Sequence, residues 1–96
     1  MISPEEVLGK TPEEIRELAK EKGLVPDQNK PDKWRDPQTG KERLLLHENG
    51  HTIDPQGNPV ENERARAPHV HIFDRNGRGI TDPTFPKPDR HFPLAP

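Results

Sequence analysis

The apolar positions of this chain are sparse, and their spacing changes partway along: near the N-terminus they recur at helical intervals, and from Trp34 onward they fall in short strand-like runs. Thr11-Pro12-Glu13-Glu14 is a helix start, with threonine as the cap, proline at the first helical position and glutamate placed to close a capping box. Ile15, Leu18 and Ala19 follow on one face and Gly23 supplies a stop, which predicts a helix over about 12–22. Ser3-Pro4-Glu5-Glu6 repeats the signature ahead of Val7 and Leu8, and Gly9 ends it after little more than a turn. This echo reads as two short capped helices, not a repeat architecture. Their glutamates sit where the helix dipole favours negative charge and need no catalytic role.

Beyond a Pro-, Asp- and Asn-rich connector, Lys33–Asp36 and Glu42–His47 read as strands joined by the turn residues Pro37-Gln38-Thr39-Gly40. Asp54–Pro59 marks a second reversal. Arg75-Asn76-Gly77-Arg78 predicts a tight hairpin between a strand at His69–Asp74 and one near Gly79–Asp82. From Pro83 the chain is too proline-rich for a central strand and is expected to lie extended across a surface. The expected fold is α+β in one domain, 1–96: short N-terminal helices (1–23) packed on a small twisted antiparallel sheet (33–82), with an extended Pro-rich C-terminal tail (83–96).

Composition narrows the picture. Ninety-six residues with 26% hydrophobic, 33% charged and 13 prolines allow one thin core, and a bound partner or substrate is expected to add stability. Cysteine is absent, so disulfides and thiolate zinc sites are excluded and any metal site must use His, Asp or Glu. No apolar run is long enough to span a membrane, and the acidic N-terminus is unlike a signal peptide. A net charge of −2 argues weakly against nucleic-acid binding. Residues 1–32 hold eight acids and five bases, however, whereas residues 33–96 hold nine acids, ten bases and every histidine, so the expected working face is neutral to mildly basic.

The candidate chemistry centres on Pro68-His69-Val70-His71-Ile72, where strand alternation sends Val70 and Ile72 to a core and sets His69 and His71 together on the other face. Imidazole titrates near neutrality, so such a pair suits acid–base chemistry, although a paired histidine on a surface strand is often without function. Metal-free RNA cleavage needs a base for the 2′-hydroxyl, an acid for the leaving oxygen and cations at the phosphate. Arg43, Arg64, Arg66, Arg75 and Arg78 lie near the histidines in sequence and offer the guanidinium fork, while loop arginines are more often simply solvated. His47 and His51 raise the alternative of a metal shared with His69, His71 and Asp54, at a spacing that matches no metalloprotease signature. As bland roles, His51 caps a turn and His47 sits at a strand edge. Trp34 is a candidate for base stacking, with core packing the commoner role in so polar a chain. Phe73, Phe85 and Phe92 read as core.

The elements Lys33-Trp34-Arg35-Asp36-Pro37, Gly40-Lys41-Glu42-Arg43-Leu44, Gly50-His51, Pro68-His69-Val70-His71, Asp74, Gly77, Ile80, Asp82-Pro83 and His91-Phe92-Pro93 are a pattern of turns and histidines. In this pattern the chain, over about residues 11–96, resembles the C-terminal toxin domains of bacterial polymorphic and contact-dependent growth inhibition toxins, similar in organisation to the barnase, EndoU, colicin and RelE group of ribonucleases. The resemblance implies an endoribonuclease toxin domain that cuts RNA, often tRNA, in competitor bacteria. It further implies that such a module is made as part of a larger secreted toxin, acts in the target-cell cytoplasm and is neutralised by a cognate immunity protein, being otherwise monomeric. It also implies that Gly50-His51 and Pro68–His71 hold active-site groups. The resulting expectation is metal-independent catalysis with no cofactor: His69 and His71 as base and acid, His51 and Arg43 at the scissile phosphate, and Arg64, Arg66, Arg78 and Trp34 binding substrate. The rival expectations are a metal-dependent nuclease built on the histidine cluster and a non-catalytic protein-interaction module that docks a partner through its tail and short strands.

Overall fold

The computed structural model describes residues 2–30, 32–83 and 89–95. Its elements run α1 (Pro4–Val7), α2 (Pro12–Glu21), β1 (Val25–Pro26), β2 (Lys33–Arg35), β3 (Glu42–His47), α3 (Glu63–Arg66), β4 (His69–Ile72) and β5 (Phe92–Pro93). Both N-terminal helices carry the capping box that their sequences predict. Ser3 pairs with Glu6, and Thr11 accepts from the Glu14 amide while Glu14 reaches back to the Thr11 amide. Lys22 adds an ion pair to Glu6 at 2.8 Å, which ties the end of α2 to α1.

The five strands form one antiparallel sheet in chain order. β2 and β3 make the predicted hairpin, with Trp34 opposite Leu44 and a bulge after Trp34. β3 and β4 pair Leu44 with Ile72, Leu45 with His71, Leu46 with Val70 and His47 with His69. Because strand side chains alternate, Leu44, Leu46, Val70 and Ile72 all face the helices and join Ile2, Val7, Ile15, Leu18, Ala19 and Trp34 in a single core. The α+β expectation therefore holds, with the N-terminal helices on the sheet. No helix among the described residues is long and apolar enough to cross a membrane.

Two parts depart from the sequence reading. The 75–78 turn forms, closed by the Asp74 amide to the Arg78 carbonyl, but pairing beyond it is a single bridge between Phe73 and Gly79, not a strand to Asp82. The tail expectation falls partly on 84–88 and 96, and on Phe85, which lie outside the described residues. In its described part, Phe92–Pro93 does not lie over a surface but extends the sheet beside β4, with Phe92 fully buried against Val70. Proline is tolerated there because β5 is an edge strand, where Pro93 need not donate to the ladder.

The chain between β3 and β4 folds back toward the sheet through Gly50 and α3. Gly50 has φ +65°, and a Cβ placed there would lie 2.3 Å from the Arg66 carbonyl oxygen. The neighbouring His51 amide donates to the Ala65 carbonyl. Gly50→Ala combines left-handed strain with a backbone clash, so it should cost on the order of 2–4 kcal/mol, whereas Gly57→Ala, with φ +85° and open space, should cost about 1 kcal/mol. Denaturant titration of both variants measures the difference, and equal losses would refute the packed role of Gly50. Phe92→Ala should cost about 3–5 kcal/mol in the same assay, as for a core aromatic; a loss below about 1 kcal/mol would place the tail outside the cooperative unit.

Candidate functional site: a five-histidine face

The register that buries Leu46 against Val70 also sets His47 opposite His69 on the other side of the sheet, with His71 two residues along β4. His91 precedes Phe92, whose pairing with Val70 leaves His91 beside His71 with ring centroids 4.9 Å apart. The Gly50 turn brings His51 to within 5.2 Å of both His47 and His69. All five histidines of the chain thus meet on one face. His69 is the hub: its ring lies 4.8–5.2 Å from each of the other four, and it is fully buried.

Hydrogen bonds fix the orientation of two rings. His69 Nδ1 lies 2.8 Å from the Ala67 carbonyl, which can only accept, so Nδ1 carries the proton and Nε2 presents a lone pair when the ring is neutral. That lone pair faces His47 Nδ1 at 2.9 Å. His91 Nδ1 lies 2.9 Å from Asp89 Oδ1, and the same oxygen accepts the His91 amide at 2.7 Å. Asn62, the cap of α3, donates to the other Asp89 oxygen at 3.1 Å. Burial alone would raise the Asp89 carboxyl, but the bonds from His91 and Asn62 hold it below its ordinary value.

Desolvation governs the sheet histidines. Burial, reinforced by the neighbouring imidazoles, lowers His71 from 6.5 to about 3. For His69, burial outweighs the Ala67 carbonyl and gives about 4. His47 is lowered as well, first by burial and then by His51 and His91. Neutral rings near pH 7 are competent ligands, and poor sources of protons. Two sets of three, His47/His69/His71 and His51/His69/His91, each bring their ligand atoms within 4.8 Å of one another.

The face opens into a cleft of about 440 Å³ lined by His71, His91, Asn62, Asp89 and Arg90, with Leu45 and Phe73 as apolar walls. Of the residues singled out in the sequence, His51, His69 and His71 come together here. His69 is too enclosed to touch a substrate. Arg43 lies elsewhere: its guanidinium donates to the Asp74 carbonyl, pairs with Asp36 at 3.5 Å and lines a separate cleft with Ile2, Lys22, Leu24 and Arg75. Arg64 turns its largely buried side chain to Asp82 and braces α3, while Arg66 is exposed at the end of that helix and Arg78 is exposed in the turn after β4. Trp34 is 6% exposed in the core and offers no ring face to a base, because a core this thin needs its one large aromatic.

His47 was singled out only as a candidate metal ligand, whereas His91, Asp89, Asn62 and Arg90 were not foreseen as site residues. His47 follows from strand parity once Leu46 is set opposite Val70, and that signal was available. The others depend on the tail joining the sheet, which its proline content conceals.

Stability should fall on acidification. Unfolded imidazoles titrate near 6.5, whereas His69 and His71 in the fold titrate at about 4 and about 3, so between these values the unfolded state binds more protons. The histidine contribution is complete above about pH 6.5 and is lost progressively as pH falls toward 4 and 3. Asp32, near His47, opposes this only in part, and Asp89, whose own carboxyl is held below its ordinary value, adds to the loss at the acid end. Denaturation midpoints taken with chelator at pH 7.5 and 5 check the sign, and a midpoint unchanged or higher at pH 5 contradicts it.

No family model, curated protein or solved structure matches the chain, and its function is therefore read from the geometry of the histidine face.

Proposed function

We propose that the protein is an endoribonuclease module of the bacterial toxin type, with its reaction centre at the mouth of the histidine face. The observation that carries this reading is the carboxylate-held imidazole at the cleft. Asp89 accepts a hydrogen bond from the Nδ1–H of His91, which leaves Nε2 of the neutral ring as a base, and the arginine next in sequence, Arg90, lines the same cleft. His51, 6.4 Å from His91 between ring centroids and half-buried, is the second proton carrier.

In this scheme the 2′-hydroxyl of RNA gives its proton to His91 Nε2 and its oxygen bonds to phosphorus. The P–O5′ bond breaks, and the leaving 5′-oxygen takes a proton from His51. The products are a 2′,3′-cyclic phosphate and a 5′-hydroxyl. Arg90 supplies positive charge for the phosphate, a role that Arg43 is too far displaced to fill. The expected pair His69 and His71 gives way to His91 and His51, because burial holds the strand histidines neutral and encloses His69. The immunity partner and the target-cell cytoplasm belong to the same toxin reading.

Incubation of the untagged protein with total RNA tests the scheme, with cleavage ends identified chemically. His91→Ala and His51→Ala should each slow cleavage by about 10²–10⁴-fold, and expression in bacteria should arrest growth with the wild type but not with His91→Ala. Intact RNA, or a His91→Ala protein as active as wild type, sinks the reading.

A further inference from the structure

We infer that His47, His69 and His71 bind one divalent transition-metal ion of the zinc class. The inference concerns the same face as the nuclease reading but does not depend on it. The first support is convergence: the three ligand atoms lie within 4.8 Å of one another, and the closest pair, His47 Nδ1 and His69 Nε2, is 2.9 Å apart. Two nitrogens each about 2.0–2.1 Å from a shared ion stand roughly 2.9–3.4 Å apart, so these rings need little movement to exchange their mutual hydrogen bond for a metal.

The second support is orientation. His69 donates Nδ1–H to the Ala67 carbonyl, the outer bond that commonly fixes a ligating imidazole and leaves Nε2 for the ion. The third is rigidity. All three rings project from two hydrogen-bonded strands, with His47 directly opposite His69, whereas His51 is held by a turn and His91 precedes the two-residue edge strand β5.

Donor chemistry selects the ion. Three neutral imidazoles without a thiolate or carboxylate suit Zn²⁺, Co²⁺, Ni²⁺ or Cu²⁺ and disfavour Mg²⁺ and Ca²⁺, which want oxygen. Stoichiometry follows from the hub. The set His51/His69/His91 also requires His69, and with Nδ1 bonded to Ala67 that ring has one lone pair to give, so the two sets cannot be filled together. Of the three rings, His71 also lines the cleft, which gives an ion a route to the site from solvent.

The test uses the full chain with its purification tag removed, stripped by chelator and titrated with Co²⁺ and Zn²⁺, without RNA. One equivalent is expected to bind, with visible Co²⁺ absorption and a raised melting temperature. His69→Ala should abolish binding. His47→Ala and His71→Ala should each weaken it by at least about tenfold, whereas His51→Ala and His91→Ala should keep one equivalent. Circular dichroism reports whether each variant is folded, and His71→Ala, altered at a partly exposed ring, decides the matter if His69→Ala does not fold. Absent binding, two equivalents, equal losses across all five variants, or loss confined to His51→Ala and His91→Ala would each overturn the inference. RNA cleavage by a chain that takes up no ion would leave the nuclease reading standing while this inference fails; uptake of one ion by a chain that leaves RNA intact would do the reverse.

Discussion

The pairing register of β3 with β4 is the constraint on which the rest depends. Leu44, Leu46, Val70 and Ile72 must share the helix-covered face, and a slip of one residue would send all four to the other side. Hydrophobic burial thus enforces the register. The same parity, with no further instruction, sets Leu45, His47, His69 and His71 on the opposite face. The histidine cluster is a geometric consequence of the core, which is how so polar a chain can hold a set of imidazoles in fixed relation.

The two faces of the sheet place opposite demands on the chain. The helix side is apolar and well capped, so its stability comes from burial and from satisfied helix ends. The histidine side encloses polar rings, and each must be neutral or hydrogen-bonded to be tolerated there. His69 meets that demand with the Ala67 carbonyl and His47, and His91 meets it with Asp89. Their protonation behaviour is therefore part of the fold's stability as well as a resource for chemistry.

The segments that complete the site are tied to one another, not only to the sheet. Asn62 caps α3 and also holds Asp89, Arg64 of the same helix pairs with Asp82, and the Asp82 amide donates to the Asp89 carbonyl. These contacts gather α3 and the start of the tail beside β4. Gly50 permits the close approach of the preceding turn to the end of α3. The cleft is thus assembled from parts separated widely in sequence, and its polar groups orient one another.

The local features were legible in the residues themselves. Capping boxes, the β2–β3 hairpin and the split between Val70/Ile72 and His69/His71 depend on neighbours a few positions apart, where steric and hydrogen-bonding rules act directly. The position of His47 was within reach by the same parity, since Leu46 and Val70 are the natural core pair. What only the tertiary structure decided is the partner of each element. The tail reaches the sheet edge through Phe92, Arg43 turns to Asp36 and Asp74, and Asp89 finds His91. Composition describes a proline-rich tail as surface chain because it averages over residues. The deciding quantity is the burial of one phenylalanine against Val70, a contact between distant segments that no local pattern encodes.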